Sequence, residues 1–378
     1  MKILILSATE NSNNKAIQRA AIQKKHECEI VSPEDILINY LPNGRATIYI
    51  KEGKVKNNYF DAVIPRLGKK FGYGCHVLRH LENFTNVFST ATAEGLEVAS
   101  DKLRSTIYLV REGLPVPKTT TVQTPDNFKF LIDTVDGLPA ICKSLKGSQG
   151  AGVYIFNDEL QSSVALKNFR KEKKNVLLQQ FIETAKDDKK KSDIRAWVVG
   201  NRVVASFKRL STDSDFRSNY TLSKEGEKVE LTKDEKELAV KAAKAVGLHC
   251  AGVDIARDAN DGNKPYILEI NGNASLTGIT AVTGINIPAA IIAFIEESVV
   301  QRRQPITDPK QLVQTLMYFE HVEKPTNSLS SYGLKTSGSN SRRSNPRGES
   351  VGKQSSFTKA AMEDSFRAQT WNNPFSGL

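Results

Sequence analysis

Short apolar runs alternate with polar, helix-forming segments through the first hundred residues of the chain. Runs of this length are typical of strands that are buried on both faces of a parallel sheet. They are residues 2–7 (KILILS), 26–32 and 61–65 (DAVIP). Residues 14–25 have helical composition, and the polar stretch 42–58 encloses the apolar run 46–50, which predicts an edge hairpin. The pattern predicts a small α/β domain over residues 1–98.

Longer strands and amphipathic helices follow in mixed order. The predicted strands are 138–144, 153–156, 175–181, 194–199, 202–209, 250–257 and 265–271. The predicted helices are 100–113, 161–171, 232–246 and 287–300. Gly113 ends the first helix, and Thr232 and Glu235 begin the third at the spacing of a capping box. We expect two domains in this part of the chain, over residues 99–181 and 182–300.

The composition changes again in residues 301–378. A short helix is predicted over 309–320, but Ser, Asn, Gly, Arg and Lys dominate from residue 324 onward. Such a segment cannot bury enough apolar surface to offset the conformational entropy of the chain. Residues 302–378 hold 11 Lys and Arg against 6 Asp and Glu, in a chain of net charge +11. We predict a basic, low-complexity and mostly disordered tail.

Overall composition narrows the class of protein. Hydrophobic residues make up 39% and charged residues 25% of the chain, which is ordinary for a soluble globular protein. Its four cysteines are far apart, which argues against a zinc site or a disulfide framework. We recognise no signal peptide and no apolar run long enough to cross a bilayer, so we expect a cytoplasmic protein without a membrane partner. The basic charge suits ATP, an acidic amino acid or nucleic acid, and the alternative is a solvated surface.

A glycine-rich loop lies between two of the predicted strands. Its sequence is KGSQGAG, in which Gly147, Gly150 and Gly152 fall within six residues. Such glycines let the backbone come close to a polyphosphate and present N–H groups to it. The loop lacks the Gly-Lys-Ser/Thr ending of a Walker loop and, unlike a Rossmann fingerprint, joins two strands. A flexible hairpin is the alternative interpretation.

Two lysines stand where an anion is expected. Lys143 lies on the strand before the glycine loop, and Lys102 lies at the start of the helix 100–113. A lysine on a buried strand is costly unless its ammonium group meets an anion, and phosphate oxygens would serve. The alternative is a lysine at a strand end whose ammonium group reaches solvent.

Three oxygen-bearing side chains interrupt the last two apolar strands. Asp254 lies in AGVDI, and Glu269 and Asn271 lie two positions apart in LEIN, so the latter two face the same side of the sheet. Hard oxygen ligands suit Mg²⁺, which usually shares its coordination shell with substrate phosphates. A salt bridge to a nearby arginine is the alternative for these acids.

Arginines accompany aspartates in the neighbouring segments. Asp193 and Arg195 share one face of SDIRAWVVG (192–200), Arg209 follows on the next strand, and Arg217 lies in DFRSN. The planar guanidinium group binds a carboxylate or a transferring phosphoryl group through two parallel hydrogen bonds. Arg195, Arg209 and Arg217 are therefore the candidate catalytic residues.

These segments, taken in order, resemble the RimK family of ATP-grasp ligases, which add glutamate to a ribosomal protein or a related acceptor. The resemblance extends over residues 60–300, with a weaker match before them. Its most specific segments are FDAVIPRLG (60–68), DKLRS (101–105), KGSQGAGV (146–153), SDIRAWVVG (192–200), DFRSN (215–219), AGVDI (251–255) and LEIN (268–271).

The resemblance implies a fold and a set of ligands. The fold is an N-terminal α/β pre-ATP-grasp domain followed by a two-subdomain ATP-grasp fold, so that the chain combines the α/β and α+β classes. The implied nucleotide-binding residues are Lys102, Lys143, Gly147, Ser148, Gly150, Gly152, Gln180, Phe181, Asp193, Arg217, Ser218 and Asn219. By the same resemblance, Gln180 and Phe181 contact adenine. The implied metal ligands are Asp254, Glu269 and Asn271, for two Mg²⁺ ions with Mn²⁺ as a substitute.

The resemblance also implies a reaction. It is amide formation through an acyl phosphate, with glutamate as the added amino acid, a protein or peptide as the acceptor, and a homotetramer as the assembly common in the family. The chain departs from the family pattern at Gln180, at 220–223 and at 272–275, and the last two lie near the expected substrates. A small-molecule amino-acid or peptide ligase of the same fold is one alternative. A basic nucleic-acid-binding protein is the other, although it leaves the glycine loop and the metal-ligand candidates unexplained.

Overall fold

The fold is that of a computed structural model. It describes residues 1–42, 44–51, 53–55, 59–122, 127–147, 152–185, 192–211 and 226–303. The predicted helix 309–320 and the predicted disordered tail 324–378 lie outside these residues. So do the middle of the glycine loop (148–151) and the whole DFRSN segment (215–219).

The first hundred residues form a parallel sheet and a smaller antiparallel ribbon. Their elements are β1 (Lys2–Leu6), α1 (Ser12–Gln23), β2 (Glu27–Val31), β3 (Ile36–Tyr40), β4 (Ala46–Ile50), β5 (Gly53–Val55), β6 (Ala62–Pro65), α2 (Phe71–Phe84), β7 (Phe88–Ser89) and α3 (Ala93–Ala99). The parallel sheet has the order β2-β1-β6-β7, and the ribbon has the order β3-β4-β5. β1 is apolar throughout because both of its faces are covered: Leu4 and Leu6 pack in the core that contains α2 and α3, and Ile3 and Ile5 pack with α1.

The second region is built on a four-stranded antiparallel sheet. Its elements are α4 (Lys102–Arg111), β8 (Thr119–Val122), α5 (Phe128–Asp133), β9 (Ala140–Ser144), β10 (Val153–Phe156), α6 (Glu159–Lys171) and β11 (Val176–Gln180). The strand order is β10-β9-β11-β8. Cys142 and Leu178 pack in one core with α5 and α6. Since alternate residues of a strand point to opposite faces, Lys143 and Gln179 lie on the other face of this sheet.

The third region contains the longest strands. Its elements are β12 (Ser192–Val199), β13 (Arg202–Leu210), β14 (Gly226–Lys228), α7 (Lys233–Ala245), β15 (Cys250–Asp258), β16 (Lys264–Asn271), α8 (Thr277–Thr283) and α9 (Ile287–Arg303). The antiparallel sheet has the order β14-β13-β12-β15-β16. Ala196 and Val253 face the core that contains α7, whereas Trp197 packs on the other face in the core that contains α8 and α9. Asp193 and Arg195 share the face of Trp197, beyond the part that these helices cover.

Every strand predicted within the described residues is present, and α1, α4, α6, α7 and α9 are the predicted helices. Several elements were not predicted, notably the helices α2 and α3. The sequence of α2, FGYGCHVLRHLENF, contains two glycines and few strong helix formers. This helix is stabilised by packing, because its residues Cys75 and Leu78 are fully buried. Gly74 allows the close approach, since a Cβ atom there would lie 2.5 Å from the Leu67 side chain.

None of the helices within the described residues is by itself long and apolar enough to span a membrane. The pair α8 and α9 reaches the required length and hydropathy only when taken together, and the two helices meet at an angle of 106°. The boundaries between the predicted domains remain predictions.

Candidate active site

The start of α4, the glycine loop and the last strand of the large sheet meet at Lys102. Its backbone N–H donates to Leu145 O at 2.9 Å, and its Nζ donates to Gly147 O at 3.3 Å. The same ammonium group lies 3.7 Å from Glu269 Oε1 on β16. Asp101, whose side chain caps α4, fixes the position from which Lys102 extends. Lys102 therefore joins three parts of the chain that are remote in sequence.

Lys143 on β9 lies near the same charges but is held by a neutral partner. Its Nζ donates to Gln179 Oε1 at 2.6 Å, and it has no carboxylate within ion-pair distance among the described residues. Burial lowers the pKa of Lys143 to about 8, since removal from water disfavours the ammonium form. Nearby Glu269 opposes this shift in the pKa, and Lys102 adds to it. The charge of Lys143 is therefore available to an anionic ligand.

Gln179 is a site residue that the sequence analysis missed. It is 4% exposed, and its Nε2 donates to Thr119 Oγ1 at 2.9 Å, which leaves Oε1 directed at Lys143. The signal that could have identified it is the pairing of β11 with β9. Leu177 pairs with Lys143, so Gln179, two residues after Leu177, lies on the same face of the sheet as Lys143.

The adjacent Gln180, predicted to contact adenine, pairs with the start of β8. Its N–H donates to Lys118 O at 2.8 Å, and its Oε1 accepts from the Lys118 N–H at 3.3 Å. The adenine contacts of Gln180 and Phe181 remain predictions.

Four charged side chains on neighbouring strands of the large sheet form a closed network. Arg195 binds Asp254 through two parallel hydrogen bonds of 2.7 Å each. Arg209 Nε donates to Asp193 Oδ1 at 2.6 Å, and its Nη2 contacts both Asp193 and Asp254, the latter at 2.9 Å. The register explains the network, because Asp193 pairs with Arg209 on β13 and Arg195 pairs with Asp254 on β15.

The network shifts the pKa values of its members in different directions. Burial raises the pKa of Asp193 above its usual range, although Arg209 opposes the effect. Burial acts in the same direction on Asp254, but there Arg195 and Arg209 together outweigh it and hold the pKa below its usual range. Asp254 is therefore ionised and fully paired. The ion pair to a nearby arginine, which the sequence analysis gave as the alternative for these acids, is therefore formed by Asp254.

The candidate metal ligands are adjacent on β15 and β16. Asp254 is the cross-strand partner of Glu269, and Asn271 Nδ2 lies 3.4 Å from Asp254 Oδ2. The described residues contain no group of three or more His, Cys, Asp or Glu side chains arranged to hold a metal. Two carboxylates and one amide oxygen nevertheless fit Mg²⁺, which takes few protein ligands and completes its shell with water and phosphate oxygens. Binding through Asp254 requires this carboxylate to share its oxygens with the two arginines.

The remaining predicted residues fall at the two ends of the glycine loop or outside the described residues. Gly147 and Gly152 have positive φ angles of 153° and 78°. A Cβ atom at Gly152 would lie 2.6 Å from Ser144 Oγ, so only glycine fits there. The predicted residues outside the described part are Ser148, Gly150, Arg217, Ser218 and Asn219.

Two family models match the chain over most of its length. Residues 1–96 match the RimK PreATP-grasp domain, and residues 99–295 match the RimK-like ATP-grasp domain. A protein of Legionella pneumophila described as a probable alpha-L-glutamate ligase is 38% identical over 300 residues, which is 79% of this chain and 96% of the relative. A protein of Picosynechococcus with the same description is 36% identical over equal shares.

Solved structures share the fold at lower sequence identity. The ATP-grasp ligase PsnB, solved with a minimal precursor, Mg and ADP, has a TM-score of 0.60 at 17% identity and covers 78% of this chain and 98% of its own. The macrocyclase MdnC of Microcystis aeruginosa, bound with the precursor peptide MdnA, has a TM-score of 0.59 at 15% identity and covers 79% and 100%.

Proposed function

The chain belongs to the RimK family of ATP-grasp ligases, and we propose that it joins glutamate to a protein or peptide acceptor at the expense of ATP. The curated relatives with 36–38% identity support glutamate as the amino acid. The acceptor class is supported by PsnB, which has been solved with the precursor peptide PsnA2, and by MdnC, which has been solved with the precursor peptide MdnA.

The observation that carries the proposal is the pair of lysines, Lys102 and Lys143, in the neighbourhood of Glu269. Lys102 Nζ lies 3.7 Å from this carboxylate, whereas Lys143 donates to Gln179 and has no carboxylate within ion-pair distance among the described residues. Glu269 compensates at most one of the two ammonium groups, and the remaining positive charge suits the oxygens of a polyphosphate. A bound cation and the two lysines would all lie near the Glu269 carboxylate.

The adjacent ion-pair network supplies fixed charge. Arg195 and Arg209 are held by Asp193 and Asp254, so they require no reorganisation when a charged substrate arrives. We assign them to orienting the substrate carboxylate and phosphoryl group, together with Arg217. Bound at Asp254, Glu269 and Asn271, Mg²⁺ would neutralise phosphate charge and orient the phosphoryl group.

The reaction follows in two steps. A carboxylate oxygen of the acceptor attacks the γ-phosphorus of ATP, the bond from that phosphorus to the bridging oxygen breaks, and ADP leaves. The amine of glutamate then attacks the acyl carbon, the carbon–oxygen bond to phosphate breaks, and the nitrogen loses a proton. The products are an amide, ADP and inorganic phosphate. Exclusion of water preserves the acyl phosphate between the steps.

The test is ADP release by the purified protein with ATP and Mg²⁺, for each amino acid with and without candidate peptide acceptors. We expect release that depends on glutamate and a mass gain of one or more glutamate residues on the acceptor. Glu269→Ala should abolish the release. Glu97→Ala is the matched control, because Glu97 pairs with Arg79 on α2, outside the candidate site.

Other outcomes separate the parts of the proposal. Release that depends on a different amino acid would retain the ligase reaction and refute glutamate. Unchanged turnover in Glu269→Ala would refute the assigned site. A protein that binds ATP but releases no ADP with any amino acid would refute the proposed reaction.

A further inference from the structure

Arg66 is a buried cation at the carboxyl end of the parallel sheet. It follows β6 directly, its N–H donates to Leu6 O at 2.9 Å, and the residue is only 7% exposed. Removing a guanidinium group from water costs on the order of several kcal/mol unless an anion pairs with it. Arg209, the other buried arginine of the described residues, has such a partner in Asp193, and the half-buried Arg195 pairs with Asp254.

Arg66 has only neutral partners. Its Nε donates to Asn14 Oδ1 at 3.3 Å, and its Nη2 donates to Ala274 O at 3.0 Å. No carboxylate of the described residues lies within ion-pair distance of it. Burial lowers the pKa of Arg66 to about 10, which is the sign of an uncompensated charge.

The orientation of Arg66 is fixed from both sides. Asn14 is 1% exposed, and its Nδ2 donates to Ser7 Oγ at 2.9 Å and to Thr9 O at 2.8 Å, which leaves Oδ1 directed at Arg66. Nη1 of Arg66 has no partner among the described residues. Among the described residues the one fully enclosed side-chain nitrogen or oxygen without a partner is Nε2 of His80, so Nη1 of Arg66 keeps some exposed surface. This is the atom of Arg66 from which a further hydrogen bond could extend.

The position of Ala274 places Arg66 at the edge of the candidate active site. Ala274 follows the candidate metal ligand Asn271 by three residues. A Cβ atom on Gly252 would lie 2.7 Å from Ala274 Cβ and 3.3 Å from Arg195 Cδ, so these groups are neighbours. Gly252 precedes Asp254 by two residues on β15, or roughly 7 Å along the strand. Arg66 thus lies near the ion-pair network on the side of Gly252. Lys102 lies near the network on the side of Glu269, the cross-strand partner of Asp254.

We infer that Arg66 binds a carboxylate of the amino-acid substrate, an assignment that rests on the proposed function. Glutamate that attacks as an amine keeps both of its carboxylates, and each needs a cation when water is excluded. The two lysines are positioned for phosphates. Arg195 and Arg209, which we assign to the acceptor carboxylate and the phosphoryl group, already pair with Asp254 and Asp193. Arg66 is the cation of the described site that has donors free for a carboxylate, and Asn14 is its positioning residue.

The test compares Arg66→Met and Arg66→Lys with the wild type. We expect the KM for glutamate to rise roughly 10- to 100-fold in Arg66→Met, as for loss of a charge-assisted hydrogen bond, and less in Arg66→Lys. The KM for ATP should change less than about twofold in both variants, because ATP and glutamate are bound by different side chains. Arg79→Met is the matched control, because Arg79 pairs with Glu97 outside the site, and its KM for glutamate should equal that of the wild type.

Amides of glutamate identify which carboxylate is bound. The wild type should discriminate against glutamate α-amide or against glutamine, and Arg66→Met should lose the preference at one position only. Loss at the α position assigns the α-carboxylate, and loss at the γ position assigns the side-chain carboxylate. Equal discrimination in wild type and mutant at both positions would overturn the inference.

Thermal unfolding separates binding from damage to the fold. With ADP and Mg²⁺ present, glutamate should raise the Tm of the wild type and of Arg79→Met but not that of Arg66→Met, whose own Tm should be equal to that of the wild type or higher. If the wild type uses another amino acid, the assignment of glutamate is refuted. The inference about Arg66 is then tested by the same comparison of KM values between wild type and mutant, made with that amino acid and its amide. An unchanged KM in Arg66→Met would refute the role of Arg66 while leaving the ligase intact.

Discussion

The four-stranded sheet and the five-stranded sheet both present charged side chains to the candidate active site, but they neutralise those charges differently. On the four-stranded sheet, Lys143 has a neutral amide partner, Gln179, at 2.6 Å. On the five-stranded sheet, Asp193, Arg195, Arg209 and Asp254 neutralise one another in a network. The difference separates two roles: Lys143 keeps its charge for a ligand, whereas the network fixes its charges in place before any ligand arrives.

The comparison predicts that the two sheets respond oppositely to loss of a cation. Removal of one partner from a buried ion pair leaves an unpaired charge, which is strongly destabilising. Removal of a buried cation that lacks a carboxylate partner relieves a desolvation cost instead.

The largest effect is expected for Arg209→Met. Asp193 and Asp254 would then share Arg195 alone, so the free energy of unfolding should fall by about 3–5 kcal/mol. Urea unfolding followed by circular dichroism measures this change. The matched control is Arg202→Met, at an exposed position of the same strand β13, which should alter the free energy by less than about 0.5 kcal/mol. Equal stability of the two variants would show that the network does not depend on Arg209.

The next effect is on turnover. Lys143→Met should lower ATP-dependent turnover roughly 100-fold or more, as for removal of one charge-stabilising donor, while the free energy of unfolding changes by less than about 1 kcal/mol. ADP release and urea unfolding measure the two quantities. Lys167→Met, at an exposed position on α6, serves as the control and should preserve both. A large loss of stability in Lys143→Met would mean that Lys143 belongs to a structural ion pair, as the arginines of the other sheet do.

The smallest effect is a difference in chemical reactivity. The amine of Lys143, with a pKa of about 8, is largely neutral above this pH and protonated below it, so its acylation should increase from pH 6 to 8 and level off near pH 9. ATP should protect the Lys143 amine from acylation. Exposed Lys167 on α6 serves as the control and should be labelled equally with and without ATP.

Mass spectrometry of labelled peptides gives the pH profile of Lys143 and the effect of ATP on both lysines. Acylation of Lys143 that keeps rising well above pH 9 would contradict the idea that burial leaves the charge of Lys143 uncompensated. Protection by ATP at Lys167 but not at Lys143 would refute the assignment of Lys143 to the phosphate site.

Much of the fold could be predicted from the sequence, and so could several residues that the structure brings together in the candidate site. Strand alternation placed Glu269 and Asn271 on one face, and the glycine spacing identified the loop that begins near Lys102. Prediction failed for α2, where burial of Leu78 and not helix propensity stabilises the helix. It also failed for Gln179, because its hydrogen bond with Lys143 depends on which strand lies beside β11.

The sequence by itself determined which charged residues interrupt the apolar strands and therefore which side chains form the candidate site. Only the tertiary structure decided their partners. Asp254 meets Arg195 across 59 residues because β12 and β15 are neighbours in the sheet. Arg66 lies beside Ala274, 208 residues later, and no acid of the described residues lies within ion-pair distance of it. Local pattern sets the face on which a side chain lies, whereas the order of strands and the packing between regions set which charges are compensated. That compensation decides whether a buried charge stabilises the fold or is left for a substrate.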